Sequence, residues 1–256
     1  MTDPKTDGTS VARRALDLLS AFDVRSRRLT LSEMAARCNL PVPTAYRLVK
    51  VLTEWGALER GSDRRYEIGR RVWELGLLAD VQTEIRQIAA PFLQDLFVAT
   101  REAVYLAVRQ GKSALYVDRL TGRVAPKVYA NVGSRLPLHA TGVGKVLLAH
   151  SPEDVTEDVL AHLRQYTPYT GVDQAKLRRE LAVVRQRGFA RTMQELDMST
   201  ASIAVPIFDS DGLVESALGL VTSDLRKDLS RVLPALHVAA QGIGRSLPPR
   251  HGDLFT

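Results

Sequence analysis

Three short helical patterns crowd into residues 10–55, separated by turn signals that leave no room for a sheet between them. Ser10 can cap a helix in which Val11, Ala15, Leu18, Leu19 and Phe22 form one apolar stripe at helical spacing. After the basic turn RSRRL, which includes Arg28, the run Thr30-Leu-Ser-Glu33 has capping-box order and predicts a short second helix through Met34, Ala35 and Ala36. Asn39-Leu40-Pro41 ends it. A third helix begins at Val42 or Pro43, where proline is tolerated in a first turn, and buries Ala45, Leu48, Val49 and Leu52. Its other face carries Thr44, Tyr46, Arg47 and Lys50, residue types that reach base edges and phosphates from a helix lying in a major groove. Taken alone, this helix is also accounted for by an ordinary polar face. The next segment adds weight to the groove reading: Leu58–Arg60 and Tyr66–Ile68 read as two strands around the turn Gly-Ser-Asp-Arg-Arg. That is a wing, able to lay Arg64 and Arg65 along a sugar-phosphate backbone.

Charge points the same way. Between Arg25 and Arg71 there are eleven basic side chains against five acidic ones, which is the whole +6 of the chain. A localised excess suits a phosphate-backbone partner, because neutralising phosphates releases counterions; a solvated basic surface is the alternative. The rest of the composition bounds the class. With 256 residues, 45% hydrophobic and 25% charged, the chain has material for two modest domains. No apolar run approaches the ~20 residues of a membrane span, and MTDPKTDGTS lacks the basic-then-apolar order of a signal peptide, so a cytoplasmic protein without a membrane partner is expected. Cys38 is the single cysteine, which excludes an intrachain disulfide and a cysteine-rich metal site; a packed apolar role is expected for it.

The segments 10-SVARRALDLLSAF-22, 31-LSEMAARCNLPVPTAYRLVKVLTEWGAL-58, 66-YEIGRRVWELG-76, 133-GSRLPLHATGVGKVLLA-149 and 202-SIAVPIFDSDGLVESALGL-220 together resemble the IclR-type bacterial transcriptional regulators, in the expected order and over nearly the whole chain. The resemblance implies an α+β protein: a winged helix-turn-helix over residues 8–69, a linking helix over 70–83, and a GAF-like effector-binding domain over 84–248. It also implies a palindrome-like operator in double-stranded DNA, a small-molecule effector, and a homodimer or dimer of dimers. Residues 70-RRVWELGLLADVQ-82, with Val72, Trp73, Leu75, Leu77 and Leu78 spread around a helix, need cover on more than one side, either from the same chain or from a second copy.

From Ala103 onward the pattern is mixed. Val104–Val108 and Ala114–Asp118 flank a hairpin turn, and Lys127–Val132 reads as a further strand. Helices are expected at 142–150, 152–164, 173–187 and 228–246, and strands at 189–194, 202–208 and 213–222. Period-2 alternation puts Ser202, Ala204 and Pro206 on one face opposite Ile203, Val205 and Ile207, and Ala217, Gly219 and Val221 opposite Leu218 and Leu220. A face of small residues either leaves a cavity or admits a closely packed helix.

The loop 137-PLHATGVGKVLLA-149 raises the question of a nucleotide site. A phosphate loop needs glycine where this chain has His139 and a hydroxyl where it has Val146; a dinucleotide fingerprint needs glycine at Leu147. What remains is a slim loop entering a helix whose N–H groups can receive an anion or a carbonyl, with Lys145 expected to point outward. The resemblance places the effector there, against Leu138, Thr141, Gly142, Val143 and Gly144, with Ser202, Gly219 and Val221 on the sheet side. The family often has cysteine at 202 and serines at 219 and 221, and usually glycine at 199, where this chain has serine. Fewer hydroxyls argue against a very small organic acid and for a larger or partly aromatic one. Arg135, His139 and Arg191 are the candidate cations for a carboxylate. An enzyme built on His139, Ser202, Asp197 and Glu195 is disfavoured: no Gly-x-Ser-x-Gly elbow, metal-ligand spacing or cofactor motif accompanies them. A DNA-binding architectural protein without a ligand is the third class.

Overall fold

In a computed structural model, residues 10–23, 26–78, 83–122, 130–224, 226–227 and 229–248 are described, and the chain forms two compact units, Met1–Val81 and Gln82–Thr256. In the first unit, α1 (Val11–Ser20) starts at Ser10, whose hydroxyl accepts the Arg13 N–H at 3.1 Å. The capping box opens α2 (Leu31–Arg37): Glu33 N–H donates to Thr30 Oγ1 at 3.3 Å, and Thr30 N–H to Glu33 Oε2 at 2.7 Å. A left-handed Asn39 (φ 51°) turns the chain into α3 (Val42–Trp55), and Gly56 closes that helix at φ 86°. The hairpin β1 (Leu58–Arg60) and β2 (Tyr66–Ile68) completes a core of Leu18, Met34, Ala45, Val49, Leu58 and Tyr66. Two residues expected in that core sit differently. Leu48 is half-buried, and Val11 is exposed because it lies in the first turn of α1, ahead of the residues that join the cluster.

The helix expected over 70–82 is described as α4 (Arg70–Gly76); residues 79–82 lie outside the described residues. Only Val72 packs into the core of its unit, and Trp73, Leu75, Leu77 and Leu78 are exposed.

The second unit opens with α5 (Thr83–Thr100) and then builds one antiparallel sheet from β3 (Ala103–Gln110), β4 (Ser113–Leu120), β5 (Arg135–Pro137), β6 (Ala190–Met193), β7 (Ala201–Phe208) and β8 (Val214–Thr222), in the order β5-β4-β3-β8-β7-β6. The strand expected at 127–132 is displaced. Its residues 127–129 lie outside the described residues, and Ala130–Val132 are not strand. Gly133, at φ 87°, donates to Tyr116 O and turns the chain, so pairing with β4 resumes only at Arg135. On one side of the sheet lie α5 and α9 (Leu233–Ser246); on the other lie α6 (Gly142–Ala149), α7 (Glu153–Ala161) and α8 (Gln174–Arg187). The last helix begins five residues later than expected, after a 3₁₀ turn over Leu229–Val232. Pro234 has no N–H to continue an earlier turn, and its ring would collide with the carbonyl four residues back.

The faces of β7 and β8 fall as the alternation predicts. Ile203, Val205, Leu218 and Leu220 join the α5–α9 core, and Ala204 and Ala217 face α6. The small face is largely filled by a helix. A Cβ on Gly219 would lie 2.8 Å from Val143 Cγ1, and one on Gly142 would lie 2.7 Å from Ser202 Oγ, so hydrogens at both positions let α6 settle on the sheet. Every residue of α6 is buried.

Among them is Lys145, so the outward orientation expected for it is wrong. Its side chain is 2% exposed and donates to Glu180 Oε1 of α8 at 2.7 Å and to Glu195 Oε1, in the β6–β7 loop, at 2.8 Å. The error has a physical source: α6 is covered on both sides, so a lysine on it must be paired inside rather than extended into water. Replacing Lys145 with methionine strands two carboxylates, one of them largely buried. We expect a loss of about 3 kcal/mol in urea unfolding of the intact protein; a midpoint equal to wild type would remove the triad from the account of how α6 is held. Gly244 gives an independent check on the other layer. An added Cβ there meets Phe208 O at 2.1 Å, so Gly244→Ala should cost at least about 1–3 kcal/mol in the same measurement.

Candidate nucleic-acid interface and effector cavity

The exposed face of α3 carries Pro43, Tyr46, Arg47 and Lys50, with Thr44 half-buried beside them. Pro43 sits in the first turn, where its missing N–H costs nothing. Lys50 leans toward Glu54 at 3.8 Å, a solvent-exposed pair of little energetic weight. The basic side chains of the wing divide into two groups. Arg28 donates to Asp63 Oδ1 at 3.1 Å and reaches Glu67 Oε2 at 3.5 Å; Arg65 reaches Glu33 Oε2 and Arg28 O, each at 3.3 Å. Both brace the hairpin against the start of α2. Among the described residues Arg47 and Arg64 have no such partner, and Arg64, exposed and left-handed at φ 63°, closes the turn whose tip is Ser62 and Asp63, with its N–H donated to Gly61 O.

In the second unit a cavity of about 40 Å³ lies between the start of α6, the sheet and the β6–β7 loop. Tyr105 of β3 and Tyr116 of β4 form one wall, edge to face with ring centroids 5.4 Å apart. Thr141, Thr192, Ser202, Val221, Glu195 and Asp197 complete much of the lining. The hydroxyls are already committed to one another. Thr141 caps α6 by accepting the Gly144 N–H at 3.1 Å and donates to Pro137 O at 3.0 Å. Ser202 Oγ accepts the Gly142 N–H at 3.2 Å and lies 2.6 Å from Thr192 Oγ1. The amides of Gly142 and Gly144, expected to be open to a ligand, are therefore satisfied within the protein.

Burial dominates the ionisation of this region. It pushes the Tyr105 phenol up to about 12 and raises Tyr116 further, against a smaller opposing effect of the Thr141 hydrogen bond. Burial also raises the Glu195 carboxyl above the ordinary glutamate range, and the Lys145 ammonium offsets part of that rise. His139 is held below the usual histidine value by burial, with its Nε2 2.9 Å from Arg164 O and its ring tilted against Tyr166.

Of the residues expected at an effector, Thr141, Ser202 and Val221 line the cavity. Leu138, Gly142, Val143, Gly144 and Gly219 lie in the packed junction beside it, where α6 meets the sheet. None of the three candidate cations lines it. Arg135 is exposed and bonded to Gln110, and His139 is committed to Arg164. Arg191 is exposed, and strand alternation turns it to the face of β6 opposite Thr192. Tyr105, Tyr116, Thr192 and Glu195 are among the lining residues missed from sequence. Alternation along β3 would have paired Tyr105 with Ala103 and Ala107 on the α6 face, so that signal was present. The supposed hydrolytic set is dispersed: Ser202 bonds Thr192 and Gly142, Glu195 bonds Lys145, and Asp197 holds the Ser199 amide.

The family described as IclR helix-turn-helix domain matches residues 11–62, and the one described as bacterial transcriptional regulator IclR C-terminal matches residues 79–245. The HTH-type transcriptional regulator XynR of Escherichia coli strain K12 is 28% identical over 240 residues, covering 91% of this chain and 95% of the relative. The HTH-type transcriptional repressor AllR of the same strain is 29% identical over 216 residues, covering 83% and 80%. Among solved structures, an IclR homolog from Microbacterium hydrocarbonoxydans complexed with 4-hydroxybenzoate is 34% identical, with a TM-score of 0.85 over 92% of this chain and 98% of that one. The Thermotoga maritima IclR is 28% identical, with a TM-score of 0.75 over 91% and 97%. These domains are regulatory rather than enzymatic, and the chain belongs to the IclR family of bacterial transcriptional regulators.

Proposed function

We propose that this chain is a ligand-responsive regulator of a catabolic or metabolic operon, acting in the cytoplasm on a palindrome-like operator. Residues 8–69 bind DNA, residues 70–83 link the parts, and residues 84–248 hold a small organic acid, preferentially an aromatic one. The observation that carries the effector reading is the cavity wall of Tyr105 and Tyr116, two rings set edge to face beside the α6 N-terminus. The relative crystallised with 4-hydroxybenzoate supports an aromatic acid as the ligand class. Two copies of the chain, as a homodimer or a dimer of dimers, would cover the exposed Trp73, Leu75, Leu77 and Leu78 and set two recognition helices at successive major grooves. In that arrangement Thr44, Tyr46, Arg47 and Lys50 meet the groove behind Pro43, and Arg64 meets the sugar-phosphate backbone. Arg28 and Arg65 shape the wing that presents Arg64.

That division of labour is testable in gel-shift titrations over a salt series. Arg47→Ala should weaken operator binding by roughly 10- to 100-fold while leaving unrelated DNA nearly unaffected. Arg64→Ala should weaken both alike and flatten the salt dependence by about one unit of slope. Arg65→Ala should also weaken both, by loosening the wing, while leaving the melting temperature close to wild type because its exposed pair with Glu33 carries little stability. Unchanged operator affinity for Arg47→Ala would remove that residue from the interface.

A further inference from the structure

The first turn of α4 is tied to the end of α3 and to β1 through consecutive residues. Gly69 donates its N–H to Ala57 O at 2.8 Å, and a Cβ on Gly69 would lie 2.2 Å from Gly56 O, so the two backbones meet more closely than any side chain would allow. Arg70 donates its N–H to Glu59 Oε1 at 2.8 Å, a cap that Gly69 itself does not supply. Arg71 then reaches back over Gly56. Its guanidinium carbon lies 4.4 Å from the Trp55 ring centroid, and Nη1 donates to Trp55 O at 3.2 Å. Trp55 ends α3, so its carbonyl is among those that a helix leaves without an intrahelical partner, and α3 has no basic residue of its own in that last turn. The planar fork of an arginine covers the ring and reaches the carbonyl at once; an ammonium does one or the other. Beyond Val72, α4 exposes Trp73, Leu75, Leu77 and Leu78.

Resting on the reading that two copies set their α3 helices in successive major grooves, we infer that Arg71 is a positioning residue that fixes the distance between half-sites without itself touching DNA. It holds the DNA-binding unit at one angle on α4, the helix whose apolar face a second copy would cover, and so carries the geometry of that contact to Thr44, Tyr46, Arg47 and Lys50. The constraints at the joint differ in kind. The Gly69–Ala57 bond and the close backbone approach form a pivot; Glu59 restrains α4 from the β1 side and Arg71 from the α3 side. Without Arg71 the pivot and the Glu59 cap persist, but the strut to α3 is gone. The fold of the unit does not rest on this contact. Arg71 is exposed and Trp55 is 42% exposed, where a cation over a ring stabilises little, and the core of Leu18, Met34, Ala45 and Val49 lies elsewhere.

The probe is a duplex selected with the full-length wild-type protein from a random-sequence pool, compared in gel shifts with the same duplex lengthened by about two base pairs at its centre and with one isolated half-site. Wild type is expected to lose at least about 10-fold in affinity on the insertion, which turns one half-site away from the other by part of a helical turn. Arg71→Ala should bind the selected duplex about 10-fold more weakly, lose clearly less on the insertion, and bind the half-site as wild type does. Arg71→Lys should follow Arg71→Ala, because it keeps the charge and loses the fork. Trp55→Leu, which leaves every charge in place, should narrow the same discrimination. All three variants should melt close to wild type. Undiminished spacing discrimination in Arg71→Ala, or in Trp55→Leu should the first variant fail to fold, overturns the inference. So does weaker half-site binding by Arg71→Ala that Arg71→Lys restores, the mark of a phosphate contact. A selected duplex with no repeated half-site, or one that Arg47→Ala binds as tightly as wild type, overturns the two-copy groove reading and the inference with it.

Discussion

The placement of α6 depends on one buried ammonium. Lys145 is held between Glu180 and Glu195, and removing it from water is tolerable only because both carboxylates reach it. Three separate parts of the chain are thereby tied to one point: the helix that roofs the cavity, the helix behind it and the loop that forms the cavity's side. The loop is fixed again from below, where the Thr167 and Thr170 hydroxyls donate to Gln194 O and Glu195 O, each at 2.6 Å. Gln194 itself is left-handed at φ 59°, a conformation these bonds hold in place. A ligand that touches Glu195 therefore touches an element coupled to α6 and α8.

The DNA-binding unit uses its charge less directly than its composition suggests. All of the net +6 lies between Arg25 and Arg71, yet Arg28, Arg37 and Arg65 are spent on carboxylates and carbonyls of the same unit. Exposed pairs of this kind add little stability each. What they supply is geometry: the wing is pinned to the start of α2, where the capping box has already set the direction of the chain. Among the described residues, Arg47 on the outer face of α3 and Arg64 in the wing turn are exposed and not spent in this way.

Local signals were legible in the sequence and distant ones were not. The capping box at Thr30 and Glu33, the proline opening α3 and the alternating faces of β7 and β8 are each decided within a few residues, and each appears where the sequence puts it. Lys145 was misread because its partners lie 35 and 50 positions away, beyond any pattern in PLHATGVGKVLLA. Arg191 was misread for a simpler reason. Proximity in sequence to Ser202 and Thr192 says nothing about face, and one step along a strand reverses it. Tyr105 and Tyr116 were legible as strand residues, but their meeting at a cavity depends on the register of β3 against β4, including a bulge between Leu106 and Ala107.

The stripe of small residues on β7 and β8 resolves the choice between a cavity and a packed helix by doing one job after the other. Over Ala204, Ala217 and Gly219 it admits α6, and a side chain at 219 would press on Val143. That constraint also excludes an easy return to the serine often found there in the family. Hydroxyls must instead come from β6, from β7 and from the cap of α6, and those of Thr192, Ser202 and Thr141 already hold the helix to the sheet. With its nearest hydroxyls occupied in structure, the cavity keeps an aromatic wall of Tyr105 and Tyr116 and, on its other side, a Glu195 side chain that the Lys145 triad holds in position.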